Sequence, residues 1–228
     1  MRDDKIIVGA NIVRLCGVAM IDTEALKKIR AEVGEGVTII AATKNVPAEV
    51  VDTIKNHGIL FAGENRAQEF LSKFGIVTGV DWHFIGRLQT NKVRLIADKV
   101  TMIQSVDRRS LADEIQKQCA RLRRVMDVLI EVNRGEESKG GVSADEIFDL
   151  AEYICGLPNL RLKGLMCIPP INCGRESYVQ MRDLFEGLKK RFDGIKYLSM
   201  GMSADYKIAV ECGANMIRPG SVLFGARD

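Results

Sequence analysis

The sequence predicts an α/β protein, a single-domain (β/α)8 TIM barrel with an extra N-terminal helix. From about residue 23, short apolar runs of β-type residues alternate with amphipathic helical stretches. Eight such runs can be counted, and 228 residues suffice for a barrel of this kind without insertions. A doubly wound open sheet is the alternative, because strand order cannot be read from the pattern.

The predicted strands are separated by helices with ordinary start and stop signals. Pro47 is expected to open one helix, and Ser143 with Glu146 forms the pattern of a capping box. A further helix is predicted at about Thr23 to Val33, where it would take the place of an eighth outer helix. The strand candidates are Val37–Ala42, Ile59–Ala62, Trp82–Ile85, Thr101–Ile103, Met126–Val132, Leu162–Ile168, Tyr197–Met200 and Asn215–Arg218.

Composition excludes several classes of protein. Lys and Arg number 33 against 30 Asp and Glu, with no block of either sign, so neither a nucleic acid nor a membrane surface is an expected partner. Six cysteines without a Cys-x-x-Cys pair, and two distant histidines, argue against a metal site or disulfides and suit the cytoplasm. Residues 1–22 form an N-terminal segment of uncertain role. Asn11 and Arg14 interrupt its apolar stretch, which argues against a secretion signal or membrane span.

In a barrel of this type, functional residues lie in the loops after the strands. Lys44 follows the first strand, and a lysine desolvated at such a position becomes a nucleophile toward carbonyl groups. An ordinary surface lysine is the alternative reading. Asn65 follows the second strand in a polar loop that could equally cap the next helix. His83, alone among apolar neighbours on the third strand, is expected to be packed in the barrel rather than catalytic.

The last two strand ends predict a phosphate site. Ser203 lies at the predicted N-terminus of a helix after strand seven, and Gly220 and Ser221 follow strand eight. Arg218 adds a permanent cation beside them. A lysine across the barrel mouth from a phosphate cradle suits a phosphorylated aldehyde, of which pyridoxal 5'-phosphate (PLP) is the commonest example.

Six stretches of the chain together resemble the PLP homeostasis protein family. They cover the chain from about residue 37 to its end, whereas the first 22 residues do not follow the family pattern. The matching stretches are Ala41–Lys44, Gly63–Glu69, His83–Lys92, Gly164–Pro170, Leu198–Ser203 and Arg218–Gly225.

The resemblance implies a barrel like the N-terminal domain of alanine racemase, with Lys44 as the Schiff-base lysine and Arg218 facing the pyridine nitrogen. It further implies that Ser203, Gly220 and Ser221 bind the phosphate and that two more residues, Asn65 and Met166, line the site. Members of this family are cytosolic regulators of vitamin B6 without established turnover, so no catalytic residue is assigned. The expected partners are PLP and recipient PLP enzymes, and the expected state is a monomer.

Two other functions stay open at this stage. An amino-acid racemase-like enzyme would need a second base, which in alanine racemases is a tyrosine from another domain, and the four tyrosines here fall elsewhere. A lysine-dependent aldolase would use Lys44 on a sugar phosphate without a cofactor. Lys139, in a glycine-containing loop after strand five, is expected to be solvated, with transient acceptance of PLP during hand-over as a minor hypothesis.

Overall fold

The computed structural model describes residues 20–133, 140–170 and 173–225. Eight parallel strands pair in chain order, and the first pairs with the last, so the sheet closes into a barrel. This closure confirms the predicted (β/α)8 fold and excludes the open sheet. The strands are β1 (Thr38–Ala42), β2 (Phe61–Glu64), β3 (Asp81–Phe84), β4 (Met102–Val106), β5 (Met126–Val132), β6 (Leu160–Cys167), β7 (Tyr197–Ser199) and β8 (Met216–Ile217).

Helices surround the barrel, and the predicted signals bound several of them. Pro47 precedes the second helix, and the Ser143–Glu146 capping box opens a 3₁₀ turn ahead of the sixth. The helices are α1 (Thr23–Val33), α2 (Ala48–Asp52), α3 (Ala67–Phe74), α4 (Val93–Ile96), α5 (Arg109–Arg121), α6 (Ile147–Cys155), α7 (Arg175–Arg191), α8 (Tyr206–Glu211) and α9 (Ser221–Phe224).

Helix α1 packs against α8 and α9, beside the seam where β8 meets β1. The Asp22 side chain accepts a hydrogen bond from Ala25 N at 2.8 Å, and Asp22 N donates to Leu223 O at 2.8 Å. Ile21 is buried against the same core. The last residues of the predicted N-terminal segment are therefore built into the barrel, while residues 1–19 lie outside the described part of the chain.

The apolar core has two parts. A large outer cluster fills the space between strands and helices. A small inner cluster fills part of the barrel itself and consists of Ile40, Met102, Leu129, Met166 and Met216. Nearer the carboxyl ends of four strands, buried polar side chains follow these apolar ones: Gln104, Glu131, Ser199 and Arg218. The barrel therefore becomes more polar toward the end where function is expected.

Two features bear on the broader predictions. Among the described residues, no helix combines the length and apolar character needed to cross a membrane. The five cysteines in the described ranges are free thiols, and those ranges hold no cluster of three or more metal-ligating side chains.

Candidate functional site

A cavity of about 580 Å³ opens at the carboxyl ends of the strands. The loops after β1, β2, β3, β6, β7 and β8 line it, which is where a barrel of this type places its ligands. Six of the seven predicted site residues meet here: Lys44, Asn65, Ser203, Arg218, Gly220 and Ser221.

Met166 is the exception among the predicted residues. It lies on β6, its side chain is fully buried, and it packs in the inner apolar cluster below the cavity rather than in the cavity wall. Ile168, two residues further along the chain, lines the cavity instead. Because strand residues two apart point to the same side of the sheet, Met166 and Ile168 share a face, and Ile168 lies closer to the cavity.

Lys44 lies at a turn after β1 that is hydrogen-bonded to β2 through Thr43. Thr43 before it is fully buried, and its N–H donates to Gly63 O at 2.9 Å. Asn45 after it has φ of 58°, the left-handed conformation that Asn tolerates better than most residues. Lys44 itself is exposed at the cavity rim. The expectation of a desolvated lysine is therefore wrong for this structure, because only its neighbour Thr43 is drawn into the core.

A buried charged cluster supports this turn. The Lys73 ammonium donates to Thr43 O, Glu64 Oε1 and Glu69 Oε1, each at 2.7 Å. The Thr43 hydroxyl also donates to Glu64 Oε1, at 2.6 Å. Burial raises the pKa of Glu64 in spite of these donors. At Glu69 burial acts in the same direction, but the Lys73 ammonium and Asn45 N–H outweigh it and lower the pKa. The cluster ties α3 to the end of β1.

Arg218 is the buried cation of the site. It follows β8 and is only 3% exposed. Its Nη1 donates to Ser199 Oγ at 2.6 Å and its Nη2 donates to Cys167 O at 2.8 Å. Burial lowers its pKa, against the attraction of nearby acidic groups. The two bonds fix the guanidinium between β6, β7 and the floor of the cavity.

The expectation that Ser203 begins a helix is wrong, because α8 begins at Tyr206. Ser203 lies in the preceding turn, and its Oγ accepts hydrogen bonds from Gly220 N at 3.0 Å and Val222 N at 3.1 Å. Asp205 holds this turn by accepting from Met202 N at 2.5 Å and from a buried tyrosine hydroxyl on α7. The last two loops therefore contact each other, and the hydroxyl of one accepts hydrogen bonds from the amides of the other.

Asn65 is positioned by a close approach of two loops. A side chain at Gly86 would place its Cβ 2.3 Å from Asn65 O, closer than any real contact. Only glycine therefore allows the segment after β3 to pass behind Asn65. This close approach explains why residue 86 is a glycine, for which the sequence pattern gave no reason.

Three apolar residues of the cavity were missed by sequence reasoning. Ile85, Ile168 and Met202 contribute apolar wall area between the polar groups. Two of them lie directly after a strand in the inward-facing register, which is the signal that could have found them. A wall that combines apolar side chains with converging polar groups is typical of a small-molecule cavity.

Glu131 is a further buried group near the site that the sequence analysis passed over. Its side chain on β5 is 7% exposed, and its Oε2 has no hydrogen-bond partner among the described residues. Burial raises its pKa to about 7, with Asp107 adding to the effect and Arg218 and Arg87 opposing it. An acidic residue near the end of a largely apolar strand was the available signal.

A larger cavity of about 780 Å³ adjoins the first and shares Asn65 and Arg66 with it. The polar loop Gly86–Lys92 supplies much of its wall. It contains neither Lys44 nor Arg218, so size alone does not identify the site. Lys139, the other lysine singled out from the sequence, lies outside the described residues.

Comparison with known proteins identifies the family that this chain resembles. The family described as alanine racemase, N-terminal domain, matches residues 23–228. A pyridoxal phosphate homeostasis protein from Aquifex aeolicus is 44% identical over 215 residues, covering 90% of this chain and 94% of that protein. The protein of the same name from Escherichia coli K12 is 38% identical, covering 85% of this chain and 87% of that protein.

Solved structures give the same picture. PipY of Synechococcus elongatus in its PLP-bound form superposes with a TM-score of 0.81 at 29% identity, covering 89% of this chain and 99% of PipY. Alanine racemase from Clostridium difficile, at 15% identity and a TM-score of 0.73, shares the fold, and the match covers 89% of this chain and 58% of the racemase. The chain belongs to the pyridoxal phosphate homeostasis protein family, whose barrel is that of the alanine racemase N-terminal domain.

Proposed function

We propose that this protein binds PLP, holds it as a Schiff base on Lys44 and takes part in the homeostasis of intracellular PLP. The observation that carries the proposal is the single cavity in which an accessible amine, a buried guanidinium and a pair of amide-bearing loops face one another. Relatives named for PLP homeostasis and the PLP-bound form of PipY support the same ligand.

The loops after β7 and β8 fit the phosphate end of PLP. Gly220 N and Val222 N already converge on one oxygen, the Ser203 hydroxyl, at 3.0 and 3.1 Å. A phosphate oxygen in that place would accept the same amides and, from Ser203 and Ser221, hydroxyl donors as well. Ser203 would then turn from acceptor to donor.

Arg218 fits the ring end of PLP. When bound, PLP supplies an aldehyde for an amine and a pyridine ring that withdraws electrons. A guanidinium always donates hydrogen bonds, so beside the pyridine nitrogen Arg218 disfavours protonation of that nitrogen. Weak electron withdrawal suits storage of the cofactor better than chemistry at an amino-acid carbon. Asn65 and the apolar walls complete the enclosure.

The racemase-like alternative is not favoured by the positions of the tyrosines. All four lie in the described ranges, and none lines the cavity. Tyr178 donates to Asp205 at 2.6 Å, Tyr153 donates to Asp113 at 2.5 Å, Tyr206 donates to Glu32, and Tyr197 packs against the inner cluster. A tyrosine acting as second base would have to come from another chain.

The remaining parts of the proposal concern partners and location. We place the protein in the cytoplasm, which the free thiols of the described cysteines support. Recipient PLP enzymes are the proposed partners, since an exposed Lys44 can exchange its aldehyde without opening of the barrel. We propose a monomer, which light scattering of the PLP-loaded protein would test.

The function is tested by locating the modified lysine. Protein loaded with PLP is reduced with borohydride, and peptide mass spectrometry then identifies the lysine that carries the pyridoxyl group. We expect Lys44, and we expect Lys44→Ala to lose the visible Schiff-base absorbance while Lys27→Ala, on the exposed face of α1, retains it. Modification at another lysine, or a band that survives in Lys44→Ala, would contradict the proposal.

The homeostatic role needs a cellular measurement. In cells that lack the gene, the parent protein should restore the normal free PLP concentration and Lys44→Ala should not. Equal restoration by both proteins would separate the cellular role from PLP binding at Lys44 and overturn this part of the proposal.

A further inference from the structure

Four buried polar side chains form a line across the barrel interior, beneath the cavity. Arg218 Nη1 donates to Ser199 Oγ at 2.6 Å, and Ser199 Oγ donates to Gln104 Oε1 at 2.7 Å. Gln104 Nε2 lies 2.9 Å from His83 Nδ1. The four residues are 3%, 0%, 0% and 4% exposed, respectively, so water does not compete for these bonds. The line runs from the end of β8 through β7 and β4 to β3.

The chemistry of the four groups sets the direction of every bond. A guanidinium can only donate, so Ser199 must accept from Arg218 and is left to donate its own proton to the Gln104 carbonyl. The Gln104 amide nitrogen can only donate, so His83 Nδ1 must accept and the imidazole carries its proton on Nε2. Burial lowers the pKa of His83 to about 4, which keeps the ring neutral and able to accept at physiological pH.

The charged and titratable groups around this line are few. Glu131 on β5, Cys167 on β6 and Asp205 after β7 act on Arg218. At His83 only burial acts, and its ring lies against Phe61 of β2 at 5.2 Å between ring centroids. Gln104 Nε2 has a second acceptor, Met216 Sδ on β8, at 3.2 Å. Among the described residues, no acidic group accepts a hydrogen bond from either end of the line.

We propose that Ser199, Gln104 and His83 are positioning residues that lock Arg218 in one orientation as a hydrogen-bond donor to the ring nitrogen of the bound cofactor. The inference deepens the proposed function and rests on it. A free guanidinium rotates about its side-chain bonds, whereas this one has Nη1 and Nη2 fixed by Ser199 and Cys167. With each member of the line restricted to one hydrogen-bond direction, no member can reverse without leaving a buried polar group unpaired, which is costly.

The main test uses the ring nitrogen as a reporter. PLP labelled with ¹⁵N in the ring is bound to the parent protein, Ser199→Ala and Ser105→Ala. Ser105, on β4, is a matched control. Its side chain is buried like that of Ser199, but its hydroxyl has no hydrogen-bond partner among the described residues. We expect Ser199→Ala to shift the ring ¹⁵N resonance and to release PLP on the order of tenfold faster, the effect of one lost hydrogen bond to a charged group. Ser105→Ala should change neither quantity.

A second test measures the protonation state of His83, at the end of the hydrogen-bonded line, in the protein without cofactor. The chain has only two histidines, so the ring resonances of His83 can be assigned by comparison with a variant of His57. In the parent protein, His83 should be the neutral Nε2–H tautomer at pH 7. In Gln104→Glu, a carboxylate replaces the donor that faces Nδ1, so His83 should take a proton and become cationic at pH 7. This variant also serves if Ser199→Ala does not fold.

The outcomes separate the two proposals. If the parent protein forms no Schiff base on Lys44, the proposed function fails. If PLP binds at Lys44 but Ser199→Ala leaves both the ring ¹⁵N shift and the release rate unchanged, the positioning role is wrong. An Nδ1–H tautomer in the parent, or an unaltered His83 in Gln104→Glu, would likewise overturn the assigned direction of the line.

Discussion

The buried cluster behind Lys44 allows a stability prediction with a defined pH dependence. Lys73→Met removes the ammonium but leaves a side chain of similar length on α3. Glu64, whose side chain is 0% exposed, then keeps only the Thr43 hydroxyl as a donor. A buried carboxylate without its cation is strongly unfavourable, so the folded protein must either carry that cost or protonate Glu64.

The magnitude follows from the cheaper of these two responses. Protonating a carboxyl group with the ordinary pKa of 4.5 at pH 7 costs about 3 kcal/mol. We therefore expect Lys73→Met to lose about 3 kcal/mol of unfolding free energy at pH 7, within the range found for broken buried pairs. The folded-state pKa of Glu64 lies above its unfolded value, so the folded state binds the extra proton. The loss should therefore shrink by about 1.4 kcal/mol per unit as pH falls toward 4.5.

Urea unfolding of the parent and Lys73→Met at pH 7 and pH 5 measures both quantities. The double variant Lys73→Met/Glu64→Gln should recover much of the loss, because the carboxylate is gone. Lys27→Met is the matched control, since the Lys27–Glu24 pair is 72% and 80% exposed and should leave the midpoint unchanged. A loss in Lys73→Met that is equal at both pH values, or one that the double variant does not reduce, would refute this explanation.

Two further predictions concern stability. Burial raises the pKa of Glu131 from its ordinary value of 4.5 to about 7, so the folded protein loses stability as pH rises from 4.5 to 7 and the loss is constant above 7. Glu131→Gln should therefore be about 3 kcal/mol more stable than the parent at pH 8 and equally stable at pH 4. A pH-independent difference in urea midpoint would contradict this. Gly164→Ala should fail to accumulate as folded protein, because φ is 147° and the new Cβ would lie 1.8 Å from Tyr197 O. Gly75→Ala, with nothing within 4 Å, is its control and should retain the parent's thermal midpoint or exceed it.

The strands could be predicted from the sequence where their buried residues are apolar. The errors in the predicted strand ends have a common cause. Met126–Val132 was predicted with its observed bounds because five of its seven residues are apolar. The predicted fourth strand stops at Ile103, whereas β4 continues to Val106 through Gln104 and Ser105. The partners that satisfy Gln104 come from Ser199 and His83, far away in the sequence. Sequence periodicity cannot distinguish a buried polar strand residue whose hydrogen-bond partners are distant in the sequence from a polar residue in a loop.

The second strand shows the same limit. Its predicted end at Ala62 falls two residues short of the observed end at Glu64. Lys73 reaches the buried Glu64 from α3. A Cβ at Gly63 would lie 2.8 Å from Ile85 Cδ1 and 2.9 Å from Ile40 Cγ2, so a larger residue there would require these side chains to shift. Both residues are typical of loops, and only the closed barrel places them in a strand.

For the site, strand ends were sufficient to find six residues of one cavity, but not to describe their environments. Lys44 and Arg218 line the same cavity under opposite conditions: the amine is exposed, and the guanidinium is buried, with one N–H of Nη1 and one of Nη2 donated to Ser199 and Cys167. The burial of each side chain depends on contacts with distant parts of the chain, such as Ser199 and Cys167 for Arg218. The strand pattern therefore shows where these two side chains lie but not how exposed each of them is.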